Sequence, residues 1–150
     1  MRRALVGLVA TLGLAACSGA QNKHKTFDIG TSTSEGAALA AWFDGDEAKA
    51  HEAAAGAPAS PAALYVQSEL AYHAGDPEAA FDLWVQMLRE HPGHVLTRFT
   101  AARLYAARDE VVDFERRVQP LFAEIDYAKL EPLTRAYVSM LDQTVAFRLW

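Results

Sequence analysis

Residues 60–92 read SPAALYVQSELAYHAGDPEAAFDLWVQMLREHP, and this stretch decides the fold. Ser60 is a helix N-cap with Pro61 at the first helical position, where a missing N–H is harmless. Leu64, Ser68, Ala71 and Tyr72 recur at the spacing of one helical face. Gly75 ends that helix, because glycine enters the left-handed conformation at low cost. Asp76-Pro77-Glu78 opens the next helix with a cap, a proline and a carboxylate near the positive helix end. Ala80, Trp84 and Leu88 follow one helical turn apart, flanked by Phe81 and Met87, and His91-Pro92-Gly93 stops the helix.

This helix–turn–helix resembles a tetratricopeptide repeat, a unit of about 34 residues with Gly-Asp at its turn and a closing proline. On that pattern Leu64 falls on the usual tryptophan position, Ser68 on the small glycine position and Ala71 on the tyrosine position. Ala80 takes the alanine position, Trp84 the aromatic one and Pro92 the closing proline. Leu64 and Ala71 depart from the pattern by being smaller, with Tyr72 supplying lost bulk.

Working outward, Ala38, Ala41, Trp42, Gly45-Asp46 and Ala50 repeat the order of Ser68, Ala71, Tyr72, Gly75-Asp76 and Ala80, displaced by 30 residues. The second helix of this copy, about residues 47–55, is short and ends in Gly56-Ala57-Pro58. Downstream, Val95, Leu96, Phe99, Ala102 and Tyr105 are expected to form an inward face. Val111, Phe114, Val118, Leu121 and Phe122 are expected on its partner helix. There Arg108-Asp109-Glu110 replaces the Gly-Asp turn, and Pro120 should break or kink the helix near Gln119.

Glu131-Pro132 opens a last helix with one stripe of Leu133, Ala136, Tyr137, Met140, Leu141 and Phe147 and a second of Val138, Val145 and Leu149. That apolar arc is wider than a capping helix needs. A further helix or a partner should cover it, and the ending Phe147-Arg148-Leu149-Trp150 suggests the front part of a longer protein. Few β-branched residues and no sustained alternation argue against strands. The expected fold is therefore all-α, and the resemblance implies a short right-handed solenoid over 35–150. Its units are about 35–58, 60–92 and 94–125, with a final helix over 131–149.

At the other end, Met1-Arg2-Arg3 is a short basic start, followed by an apolar run from Ala4 to Leu14. That is signal-peptide anatomy. The run is too short to cross a hydrocarbon core of about 30 Å comfortably. Leu14-Ala15-Ala16-Cys17 resembles the bacterial lipobox, which implies that residues 1–16 are removed and that Cys17 carries lipid. Each buried methylene adds about 0.8 kcal/mol of membrane attachment. An ordinary secretory signal with a nearby cysteine is the alternative. Ser18 after the cysteine, rather than Asp, favours an outer-membrane destination. Residues 17–34 then read as the lipidated terminus and a flexible polar linker, with Phe27 and Ile29 its sizeable apolar side chains.

The 150 residues carry a formal charge of −5, and 51% of them are hydrophobic. Such a chain suits one globular domain. An acidic surface argues against nucleic acid and against a basic membrane-binding face. With a single cysteine no intrachain disulfide can form, so core packing must hold the domain.

His91, His94 and His73 beside Asp76 are conceivable metal ligands, but their spacing matches neither a zinc-protease helix nor a zinc finger, and solvated turn residues are the preferred reading. Asp109, Glu110, Asp113 and Glu115 are interspersed with Arg108, Arg116 and Arg117, which reads as a solvated face with local ion pairs. No phosphate loop, nucleophile elbow or spare thiol is present, so no catalytic set, cofactor or small-molecule substrate is expected. The aromatics Trp42, Tyr65, Tyr72, Phe81, Trp84, Phe99 and Tyr105 are mostly expected in the core. The repeat resemblance places partner-binding residues on the first helices, with Tyr65, Gln67, Arg98 and Arg103 as candidates.

Together these features point to a lipid-anchored, non-catalytic interaction module of the bacterial envelope, facing the periplasm and binding a protein or peptide. In anchor and repeat type it resembles the lipoproteins that help assemble outer-membrane proteins or pilus secretins, which carry longer arrays. The alternatives are the amino-terminal repeat region of a longer peptidase or transglutaminase-like envelope enzyme, and a structural spacer.

Overall fold

A computed structural model describes residues 34–150, and all their regular secondary structure is helical. The lipobox, Cys17 and most of the linker lie outside the described residues. Seven α-helices follow in order: α1 Ser34–Phe43, α2 Glu47–Ala55, α3 Pro61–His73, α4 Pro77–Glu90, α5 Thr97–Ala106, α6 Phe114–Glu124 and α7 Pro132–Leu149. A short 3-10 turn, Ala107–Asp109, extends α5.

The two Gly-Asp turns have the same construction. Gly45 and Gly75 adopt φ of +77° and +80°. In each turn the following Asp N–H reaches back to close the preceding helix, Asp46 to the Ala41 carbonyl at 2.9 Å and Asp76 to the Ala71 carbonyl at 3.0 Å. Each Asp carboxylate then accepts the backbone N–H of a residue in the next helix, Lys49 at 3.1 Å and Ala79 at 3.0 Å. Orphan carbonyls and orphan amides are thus satisfied by two residues.

The third junction is built differently. The 3-10 turn replaces the glycine, and Asp113 enters α6 at φ +50° with no side-chain cap. α6 consequently packs chiefly on α4 and α7. Of the break or kink expected at Pro120, the break does not occur: α6 runs from Phe114 to Glu124 with Pro120 inside it. An internal proline removes one hydrogen bond and costs about 3 kcal/mol. Here Pro120 is exposed, while Phe114, Val118 and Leu121 on the opposite face are buried and hold the helix to the core.

Packing follows chain order, α1 on α2 and α3, α3 on α4, α4 on α5, and α5 on α7. One core cluster joins Ala38, Ala50, Leu64 and Val66 of the first three helices with Met87 and Leu96. The second gathers Trp84, Leu88, Leu104, Phe114, Val118 and Leu141 from α4 to α7. Trp84 is fully enclosed, its ring 5.6 Å from that of Tyr72.

The inward face of α5 differs from expectation, and on α7 the structure selects between the two apolar stripes. On α5 the buried residues are Thr97, Thr100, Ala101 and Leu104, whereas Val95 and Phe99 are exposed. On α7 they are Thr134, Val138, Leu141 and Val145, whereas Leu133, Met140 and Phe147 are exposed. α5 is rotated by about one residue from the expected face, and in both helices the side that carries threonine turns inward. The threonine hydroxyls are satisfied close to home: Thr97 donates to the His91 carbonyl at 2.6 Å and Thr100 to the Thr97 carbonyl at 2.8 Å. A threonine so bonded buries its methyl without stranding a polar group.

Candidate functional site

The orientation of α5 and α7 turns Phe99, Met140 and Phe147 outward, onto the side of the domain where α1, α3, α5 and α7 lie next to one another. Three clefts open there. The first, between α1 and the start of α5, is bordered by Leu39, Phe43, Ala62, His94 and Val95. The second, between α3 and α5, has about 320 Å³ and is lined by Tyr65, Glu69, Phe99, Ala102, Arg103 and Ala106. The third, between α5 and α7, is lined by Tyr105, Met140, Gln143, Thr144 and Phe147. Phe43, Val95, Phe99, Met140 and Phe147 are thus large, exposed hydrophobics that all sit in these clefts, on odd-numbered helices or, for Val95, just ahead of one.

The floor of the middle cleft is an ion pair. Arg103 donates from Nε to Glu69 Oε1 at 3.0 Å and from Nη2 to Oε2 at 2.8 Å. The Glu69 side chain is only 4% exposed, so this is a two-point charge-assisted pair with one partner buried. The hydrogen bond to Glu69, with the charge of that carboxylate, raises the guanidinium's affinity for its proton further. Arg103 also lies 5.2 Å above the Tyr72 ring, and the Tyr72 hydroxyl donates to Glu110 Oε1 at 3.1 Å. Burial, together with the nearby Glu69 carboxylate, pushes the Tyr65 phenol above its ordinary range. Tyr65 itself is nearly enclosed, its ring 6.0 Å from that of Phe99.

Of the four residues singled out from the sequence, Tyr65 and Arg103 come together in this cleft. Arg98 stands at its edge, its guanidinium 5.5 Å over the Phe99 ring and its Nε donating to the Val95 carbonyl at 3.1 Å. Gln67 does not join them. Two residues beyond Tyr65 on a helix is the other side, and Gln67 lines a separate depression with Glu47, His51, Leu70 and Ala74. Met140 and Phe147 belong to the α7 stripe that the sequence expects a further helix or a partner to cover, and the residues the sequence reading missed are Phe43 and Glu69. Their signal was spacing: each sits at a position of the first-helix face adjoining the core stripe.

The acid-rich stretch 108–117 keeps the expected local ion pairs, Arg108 with Asp109 and Arg116 with Asp113, each at 3.9 Å, and adds a cross-helix network to them. Arg148 of α7 donates to Asp109 and Glu115, each at 2.8 Å, and Arg117 pairs with Glu78 and Asp82 of α4. Glu78 also accepts the Val112 N–H at 2.8 Å. That bond, with Arg117, holds its carboxyl below the ordinary range, and Arg148 does the same for Glu115.

The turn histidines are occupied by the backbone. His91 Nε2 lies 3.1 Å from the Ala59 carbonyl, and His94 Nδ1 accepts the Leu96 N–H at 3.2 Å. Among the described residues no group of three or more His, Cys, Asp or Glu is placed to hold a metal ion, and no helix is long and apolar enough to cross a membrane. No family model matches the chain, and neither a curated protein nor a solved structure matches it.

Proposed function

We propose that the protein is a lipid-anchored interaction module of the bacterial envelope, in which tetratricopeptide-like helix pairs stack as a right-handed solenoid and present a groove to a protein or peptide. The observation that carries this reading is the gathering of exposed large hydrophobics into adjoining clefts on α1, α3, α5 and α7. A soluble surface rarely tolerates such a patch unless something covers it. Two identically built Gly-Asp turns, 30 residues apart, support the repeat reading. The lipobox-like Leu14-Ala15-Ala16-Cys17 supports the anchor.

Photo-crosslinking in living cells, with the crosslinker at Phe99 and at the opposite-side Gln67, tests the module. A discrete protein adduct from position 99 and none from 67 is expected. No adduct from any cleft position would overturn the reading. Replacing Cys17 by Ser tests the anchor separately, since it should abolish metabolic labelling with a fatty-acid analogue and release the protein from membranes.

The uncovered face of α7 favours a second reading, in which Leu133, Met140 and Phe147 pack against a catalytic domain of a longer envelope enzyme. A stop codon directly after codon 150 in the genome would remove it.

A further inference from the structure

The charges around the middle cleft specify more than an apolar surface. Every Lys and Arg side chain among the described residues lies within salt-bridge distance of a carboxylate except Arg98 and Arg135. Arg135 is engaged by the carbonyls of Ala128 and Leu130. Arg98 spends only its Nε, on the Val95 carbonyl, and its terminal nitrogens make no hydrogen bond among the described residues. It stands over the Phe99 ring, which is 47% exposed, and beside Val95, 46% exposed. α5 carries Arg98 and Arg103 but no acidic residue, in a chain of net charge −5. Because Arg103 is neutralised by Glu69, the uncompensated charge at this cleft is that of Arg98.

Resting on the module reading above, we propose that the cleft between α3 and α5 takes an acidic, apolar peptide segment of a protein partner. One apolar or aromatic side chain packs against the exposed edge of the Phe99–Tyr65 pair in the cleft, and a neighbouring carboxylate pairs with the free terminal nitrogens of Arg98. A guanidinium fork matches a carboxylate in two-point geometry, and its stacking on Phe99 fixes it in place beforehand. An anionic membrane surface is the poorer fit, since polybasic recognition needs a cluster of Lys and Arg and this face has one unpaired guanidinium.

The test uses the full-length protein in detergent and three fluorescein-labelled pools of twelve-residue peptides, read by fluorescence anisotropy. One pool combines Asp and Glu with Phe and Leu, the second Lys and Arg with Phe and Leu, and the third Asp and Glu with Ser and Gly. Binding of the first pool alone is expected, weakening with added salt. Arg98→Glu and Phe99→Ala should each weaken it at least tenfold, and Arg98→Lys should retain most of it. Both side chains are accessible, so unchanged circular dichroism and thermal midpoints are expected and distinguish lost binding from lost folding. Equal binding of the acidic and basic apolar pools, sensitive to Phe99→Ala but not to Arg98→Glu, would overturn this inference and leave the module reading standing. Binding of no pool would also overturn it, and the crosslinking from position 99 then decides the module reading by itself.

Discussion

Arg103 grips both carboxylate oxygens of Glu69, thirty-four residues upstream, and so ties α5 to α3 with a pair whose acidic member is almost wholly out of water. Removing one partner of such a pair strands the other. Arg103→Ala should therefore cost about 3 kcal/mol, the low end for a buried pair because Arg103 itself is partly solvated. Replacing both, as Glu69→Leu with Arg103→Met, removes the stranded charge and should recover most of the loss. Urea unfolding of the two variants measures the difference. A single variant as stable as wild type would show that the pair contributes little.

Gly75 sits at φ +80° with no atom within 4 Å of where an alanine methyl would stand, so the cost of Gly75→Ala comes from the backbone alone. It should be about 1 kcal/mol, since a left-handed residue with a Cβ is strained by that order. Asp76→Ala should cost a similar amount, about 1 kcal/mol, by uncapping α4. The equivalent changes at Gly45 and Asp46 should behave alike in thermal melts, because the two turns share their hydrogen bonds.

Trp84 is fully buried, and its indole N–H has no hydrogen-bond partner among the described residues. Trp84→Ala should cost about 3–5 kcal/mol through the cavity it leaves. Trp84→Phe should cost far less, because the smaller ring also removes an unsatisfied donor. Chemical denaturation of both variants gives the comparison, and a phenylalanine variant as unstable as the alanine one would contradict it.

Acid should weaken the domain in two stages. Burial, aided by the charge of His91, pulls His94 below its ordinary value, although Glu35 acts the other way. The folded state therefore binds fewer protons at His94 than the unfolded chain does. That part of the stability is present above about pH 6.5 and is lost as the pH falls through the lower folded value. Protonation also removes the lone pair that accepts the Leu96 N–H. Glu78 and Glu115, both held below their ordinary range, contribute stability present above about pH 4.3 and lost on further acidification. Urea midpoints taken from pH 8 to pH 3 should hold down to about pH 6.5, fall below it and fall again below about pH 4.3, and His94→Gln should flatten the upper limb only.

Much of this architecture was legible in residues 60–92. Ser60, Gly75 and Asp76 act within a few residues of themselves, and helix starts and stops at those positions follow from local chemistry alone. The same reasoning located the second Gly-Asp turn at Gly45-Asp46 and the apolar set Phe114, Val118 and Leu121. At Pro120 the helix is not broken, because the local penalty is outweighed by burial of the opposite face of α6.

Of the candidate cleft, Tyr65, Arg98 and Arg103 could be named from the repeat resemblance, but Glu69 and Phe99 could not be assigned their places. Glu69 looks like an ordinary surface acid until Arg103, a whole helix pair later, is brought to it.

What the sequence by itself determined was the all-helical character, the order of the helices and the two turns that fold them back. Those depend on contacts between residues one to five apart, which neighbours in the chain dictate. Only the tertiary structure decided which face of α5 and α7 turns inward. Thr97, Thr100 and Thr134 can be buried because each hydroxyl finds an oxygen close by, and that choice sends Phe99, Met140 and Phe147 outward into the clefts. A helix with apolar side chains on two adjacent stripes offers either stripe to the core, and the neighbours it packs against select between them.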